Sequence, residues 1–247
     1  MSIRSPMCRR PESRAALWAP WLVICLMLAS CRGGGDDPAS RPVALSFDFS
    51  GGVAGWSGAA ADHTAATAPI DVVWAHVALP APLAGSCFML SGTNRSDDLF
   101  IYVKRQVGGL QPGRSYGVAM QLRLATGAPS GCVGVGGAPG ESVWVHAGAT
   151  AGEPRTVLQG AEGYRVNIDR GNQSVGGSQG VVLGTIANGS TDCLQRRFAT
   201  KLLASHAPHA VIADGAGRVW LHAGIDSGFE AYSEVYLQSL EVVFTPR

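Results

Sequence analysis

Val43-Ala44-Leu45-Ser46-Phe47-Asp48-Phe49 alternates: Leu45, Phe47 and Phe49 fall on one parity, Ser46 and Asp48 on the other. A strand points successive side chains to opposite faces, so this period of two reads as a strand with one buried face. Residues 72–78, 87–90, 99–107, 116–124, 142–146, 164–168, 181–186, 219–223 and 235–244 are further strand candidates. Turn signals separate them: Pro80-Ala81-Pro82, Gly108-Gly109, Pro112-Gly113, Gly136-Gly137, Pro139-Gly140 and Gly176-Gly177. Short strands at this spacing, without long helical patterns between them, predict an all-β sandwich or barrel. Residues 192–204 fit two periods. Leu194, Phe198, Lys201 and Leu202 have helical spacing, while Phe198, Thr200 and Leu202 alternate as in a strand.

Composition agrees. The 247 residues include 33 glycines, and charged residues make up 15%, below the usual ~25%. Such a chain suits many short strands joined by tight turns. Phe47-Asp48-Phe49 followed by Gly55-Trp56 resembles the opening of many jelly-roll modules of galactose-binding-like type. The resemblance implies a β-sandwich over residues 43–247 in which the last strand, 235–244, pairs beside the first.

The N-terminus reads differently. Arg4, Arg9, Arg10 and Arg14 lead into an apolar run, residues 15–28, interrupted by Pro20. A basic opening, a short apolar core and small residues make a secretory signal, and the run is shorter than the ~20 residues a spanning helix needs. Leu28-Ala29-Ser30-Cys31 resembles the lipobox of bacterial lipoproteins. That resemblance implies removal of residues 1–30 and acylation, palmitate included, of Cys31. Residues 31–42 then form a flexible tether. The expected place is the bacterial cell envelope, lipid-anchored on the extracytoplasmic side of a membrane, with the outer membrane favoured. In residues 31–247 acidic side chains slightly outnumber basic ones, which argues against a nucleic-acid partner. Cys87, Cys132 and Cys193 remain, so at most one internal disulfide forms, and the spacing leaves open which two pair.

Four polar clusters interrupt the apolar pattern. In Ser91–Phe100, SGTNRSDDLF, the residues Asn94, Arg95, Asp97 and Asp98 could converge on a ligand or a Ca²⁺ ion, or Arg95 could pair with Asp97 or Asp98 inside a closed turn. Gly134–Glu141, GVGGAPGE, lacks the glycine spacing and the following helix that nucleotide binding needs; Glu141 is its candidate polar contact. Asp169, Asn172 and Gln173 lie in DRGNQ. Asp226 and Glu230 flank the turn in DSGFE and could act as paired carboxylates in glycoside chemistry. Gly176-Gly-Ser-Gln-Gly180 matches a nucleophile-elbow pattern without the strand-to-helix setting that the elbow requires. Trp74 and Trp144 have apolar neighbours on both sides, which predicts core positions; Trp56, near a glycine-rich turn, is the tryptophan expected to be exposed.

Together SGTNRSDDLF, GVGGAPGE, DRGNQ and DSGFE resemble a family of uncharacterised secreted bacterial lipoproteins. The resemblance implies one exported domain and transfers no catalytic role. The leading expectation is a non-enzymatic binding or envelope-associated module, with carbohydrate as its candidate ligand, using Asn94, Arg95, Asp97, Asp98, Glu141, Asp169, Asn172, Gln173, Asp226 and Glu230. A second is a glycan or peptidoglycan hydrolase pairing Asp97 or Asp98 with Asp226 or Glu230. A third is a structural envelope lipoprotein with no small ligand, its partner an envelope protein. No cofactor is expected, except that a structural Ca²⁺ could be held by Asp48 on the first strand and Glu241 on the last.

Overall fold

The computed structural model describes residues 40–247; the expected signal, Cys31 and most of the expected tether lie outside the described residues. The chain forms two antiparallel sheets packed face to face. Five strands open it: β1 (Val43–Asp48), β2 (Ser57–Ala61), β3 (Ile70–Ala78), β4 (Ser86–Thr93) and β5 (Leu99–Val107). The long β6 (Ser115–Thr126) and β7 (Val143–Thr150) follow. Two small hairpins come next, β8 (Thr156–Leu158) with β9 (Tyr164–Val166) and β10 (Gly171–Asn172) with β11 (Val175–Gly176). β12 (Val181–Thr185), β13 (Ala199–Ala204), β14 (His209–Ile212), β15 (Val219–Ser227) and β16 (Tyr232–Pro246) complete the chain.

One sheet runs β13-β6-β16-β4-β3, with β14 also on β6 and β1 also on β16; the other runs β12-β7-β15-β5-β2. Successive strands cross repeatedly between the sheets: β4 lies in the first, β5 in the second, β6 in the first and β7 in the second. This winding is that of a jelly-roll sandwich. The last strand pairs beside the first, Val43 opposite Phe244 and Asp48 opposite Ser239.

Alternation decides which face is buried. Leu99, Ile101 and Val103 of β5 point inward to meet Val118, Leu122 and Leu124 of β6, Ile225 of β15 and Leu240, Val242 and Phe244 of β16. Each such side chain, fully buried, stabilises the fold by about 1.5–3 kcal/mol. The opposite parity of β5 places Phe100 and Tyr102 on the outer face, where they pack with Ala61 and Val166 as a separate cluster. The excursion 151–180 lies across that outer face. Thr156 Oγ1 donates to the Ala60 carbonyl at 2.8 Å, and Asp62 N–H donates to the Tyr164 carbonyl at 2.7 Å.

The structure settles two readings that the sequence left open and overturns one. Residues 192–198 form no helix. Thr191 and residues 193–197 are exposed, so a helical stripe there would have nothing to cover, and the strand begins at Ala199. Trp56 is buried, 4% exposed, edge-on to Phe47 and Phe49, whereas Trp74 is 41% exposed. The Trp74 indole lies flat on Gly58, where a Cβ would sit 2.2 Å from the ring. Cys132 and Cys193 form the disulfide, and Cys87 is buried and free.

Candidate functional site: a carboxylate–guanidinium pocket on the outer sheet face

Arg170, delivered by the excursion, is 3% exposed. Its guanidinium lies over the Phe100 ring, 4.2 Å from the centroid. Nη1 donates to Asp226 Oδ2 at 2.5 Å and Nη2 to Asp226 Oδ1 at 3.2 Å, a bidentate pair; Nη2 also donates to Asp62 Oδ2. Asp226 comes from the middle sheet strand β15. Asp62 follows β2 in the left-handed region at φ +64°, a conformation aspartate tolerates better than most residues. Burial alone would weaken the charge on Arg170, but Asp226 and Asp62 outweigh it and hold the guanidinium above its ordinary range. Asp226 is fully buried and also accepts the Gln173 N–H at 2.5 Å. His146 Nε2 lies 3.6 Å from Asp226 Oδ2 and 2.7 Å from the Gln173 carbonyl oxygen; burial pulls this imidazole below its usual range, against the pull of Asp226.

Asp98 completes the cluster. Its Oδ1 has no hydrogen-bond partner and stands 3.9 Å from Arg170 Nη2, and its Oδ2 lies 3.5 Å from Arg165 Nη1. Burial, with repulsion from Asp226 and Asp62 and against the attraction of Arg170, pushes the Asp98 carboxyl up to about 7. Arg165, from β9, also approaches Asp62 at 3.7 Å and is a third exposed. Beside the cluster opens a pocket of about 350 Å³ lined by Asp62, Asp98, Gln159, Glu162, Arg165 and Asn172, with Asp169 and Arg170 in its wall.

The four polar motifs meet at this end of the sandwich. Asn94 is buried; its Nδ2 donates to the Ser227 and Phe229 carbonyls at 2.8 and 3.2 Å. Gln173 Nε2 donates to the Asp97 carbonyl at 2.9 Å, and Glu230 N–H to the Val135 carbonyl at 2.9 Å. These contacts fix the loops on one another. Asp98 and Asn172 face the pocket, and Asp169 borders it while accepting from Ser178 N–H and Oγ. The others are placed elsewhere. Arg95 is exposed and donates to the Ala68 carbonyl rather than to Asp97 or Asp98. Glu141 accepts the Gly131 N–H beside the disulfide. Glu230 is exposed and lies against Gly136, away from Asp226. Asp48 accepts the Ser50 N–H, Glu241 stands opposite Ser46, and among the described residues no group of three His, Cys, Asp or Glu side chains forms a metal-ligating cluster.

The sequence reading did not single out Asp62, Gln159, Glu162, Arg165 or Arg170. Arg170 and Asp62 are 108 residues apart, so no local spacing could announce the pair. Chemically, the site offers carboxylates that accept, a guanidinium and amides that donate, and one carboxyl that exchanges its proton near neutrality. Of the buried carboxylates, Asp226 is held by Arg170 and the Gln173 N–H, and Asp62 by Arg170.

No family model matches the chain, and no curated protein sequence does either. Among solved structures, it is similar to the family 11 carbohydrate-binding module of a cellulosomal cellulase of Clostridium thermocellum, at 10% identity and TM-score 0.42, over 82% of this chain and 95% of that one. It is also similar to the K1 cleaved adhesin domain of Lys-gingipain from Porphyromonas gingivalis, at 12% identity and TM-score 0.39, over 81% and 97% of the two chains. A third is a carbohydrate-binding module that recognises mannan, at 12% identity and TM-score 0.36, over 82% and 98%. Likeness this distant carries no argument about what the present chain binds.

Proposed function

We propose that this protein is a lipid-anchored, extracytoplasmic carbohydrate-binding module of a bacterial envelope, and that the pocket beside Arg170 receives ligand hydroxyls. The observation that carries the reading is the lining. In a chain with only 15% charged residues, Asp62, Asp98, Glu162, Asp169, Arg165 and Arg170 converge on one open pocket, joined by the amides of Gln159 and Asn172. A sugar hydroxyl both donates and accepts, so it needs acceptors and donors side by side. Carboxylate and guanidinium groups make the stronger, charge-assisted bonds. An apolar ligand would strip these groups of water without replacing its hydrogen bonds. The Cys31 acyl anchor and the tether to Pro42 would hold the domain at a membrane, the outer one as the favoured place, where it meets glycans.

Calorimetric titration with a panel of neutral oligosaccharides tests this. Binding of one sugar class, weakened about tenfold or more in Arg165→Ala through loss of a charged hydrogen bond, is the expected result. No binding across the panel, or binding indifferent to Arg165→Ala, would overturn it.

A further inference from the structure

The charges of the sandwich are sorted by end. The chain enters it at Arg41 and Pro42, just before Val43, which stands opposite Phe244. At the same end Thr245 and Pro246 lie opposite Gly117 and Tyr116, and Arg247 N–H donates to the Ser115 carbonyl at 3.0 Å. The turn before β6, with Arg114, meets the turn before β15, with Arg218. Gly113 N–H donates to the Ala213 carbonyl at 3.2 Å, and Leu110 N–H to the Gly217 carbonyl at 3.1 Å. Arg41, Arg114, Arg218 and Arg247 therefore gather at one end; Arg114 is half-buried and the other three are exposed. Against them stands Asp214, to which Arg218 Nε donates at 3.0 Å. On the flanking turn Glu153 is shared by two cations, Lys104 at 2.8 Å and Arg155 at 2.7 Å. Ile212, opposite Ser115, is 58% exposed at this end.

The other end is acidic. β15 runs from Val219 at the arginine end to Asp226 beside the pocket, about 24 Å of strand. In the pocket Asp62, Asp98, Glu162 and Asp169 outnumber Arg165 and Arg170, and Asp97 and Glu230 lie in the loops around it. A body charged in this way turns in a field. An anionic lipid surface attracts the first end and repels the second, within a Debye length of about 8 Å at physiological salt. Acyl chains hold a protein more firmly when a basic patch adds a second signal. Residues 32–41 span at most about 35 Å, so an anchor at Cys31 keeps the arginine end within reach of the lipid.

We propose that this arginine end docks on the anionic headgroups of the anchoring membrane, so that the acidic pocket faces away from it. The inference rests on the lipid-anchor reading and is independent of what the pocket binds. The test is hydrogen exchange, read by mass spectrometry, of the full chain reconstituted on vesicles of phosphatidylcholine alone and of phosphatidylcholine with phosphatidylglycerol. Exchange at residues 108–114 and 213–218 should slow on the anionic vesicles only and recover at high salt. Arg41→Gln/Arg247→Gln should lose most of that protection, at about fivefold in the contact equilibrium per arginine. Equal exchange on the two kinds of vesicle, or protection at residues 159–172 instead, would overturn the inference. The intact mass of the same preparation reads the anchor separately. An unacylated chain that still shows the protection at 108–114 and 213–218 would overturn the anchor and uphold the lipid-facing end.

Discussion

Replacing Arg170 with methionine keeps an unbranched apolar stem but removes the guanidinium that lies over Phe100, and with it the charge. Arg170 is 3% exposed and neutralises Asp226, which is fully buried, and Asp62, which is 6% exposed. Removing one partner of a buried ion pair costs about 3–5 kcal/mol, because the remaining charge is left uncompensated. That is a large part of the ~5–15 kcal/mol that holds a domain together. At about 2–4 °C per kcal/mol for a domain of this size, the melting temperature should fall by about 6–20 °C at pH 8. The loss should be smaller at pH 5. Asp98 already holds its proton more tightly when folded than when unfolded, and losing the attraction of Arg170 strengthens that hold. That part of the stability is then fully present only below the unfolded value and is lost as pH rises. Arg170→Met combined with Asp226→Asn should recover part of the deficit, since the two residues act as a unit. Circular-dichroism melts at both pH values measure these effects, and hydrogen exchange over 156–176 reports whether the excursion has lifted from the sheet. A loss below about 1 kcal/mol, or one independent of pH, would refute the view that Arg170 pins the excursion by charge.

Asp98, raised to about 7 by burial, makes the native protein progressively less stable as pH climbs from about 4 to about 7, because only the folded state then holds that proton. Asp98→Asn should accordingly melt higher than wild type at pH 8 and no higher at pH 4, as differential scanning calorimetry would register. The Cys132–Cys193 disulfide closes a separation of 61 residues, for which chain entropy gives about 4 kcal/mol. The double variant Cys132→Ser/Cys193→Ser should lose a comparable amount of stability in denaturant melts. Cys31→Ala should move the protein from the membrane fraction to the soluble one and abolish labelling by a radioactive fatty acid, whereas unchanged fractionation would remove the lipid anchor from the proposal.

Strands with strong contrast between their faces were legible. The stretches 43–49, 99–107 and 235–244 became β1, β5 and most of β16 because their apolar residues alternate around one core. β2, Ser-Gly-Ala-Ala-Ala, carries no such contrast; small residues are needed there because Trp74 rests on Gly58 and Ala61 packs on Phe100 and Tyr102. β14, only four residues beside β6, is too short to establish a period. In the site, Asp98, Asn172 and Asp226 stood out as polar residues in an apolar chain. Asp62, Arg165 and Arg170 did not, since a buried charge is recognisable only by its partner, and the partners come from β2, the β5 approach, the excursion and β15. The tryptophans mislead for a related reason: flanking apolar residues say nothing about whether a neighbouring element covers the indole.

The most direct measurement is the location of a bound glycan, by a crystal structure of the protein with whichever oligosaccharide binds tightest in the titrations. The expected result is sugar hydroxyls hydrogen-bonded to Arg165 and Asn172, beside Asp98, in the Arg170 pocket. A glycan seated instead on the exposed Trp74 face of the first sheet, with the Arg170 pocket filled only by water, would contradict the account.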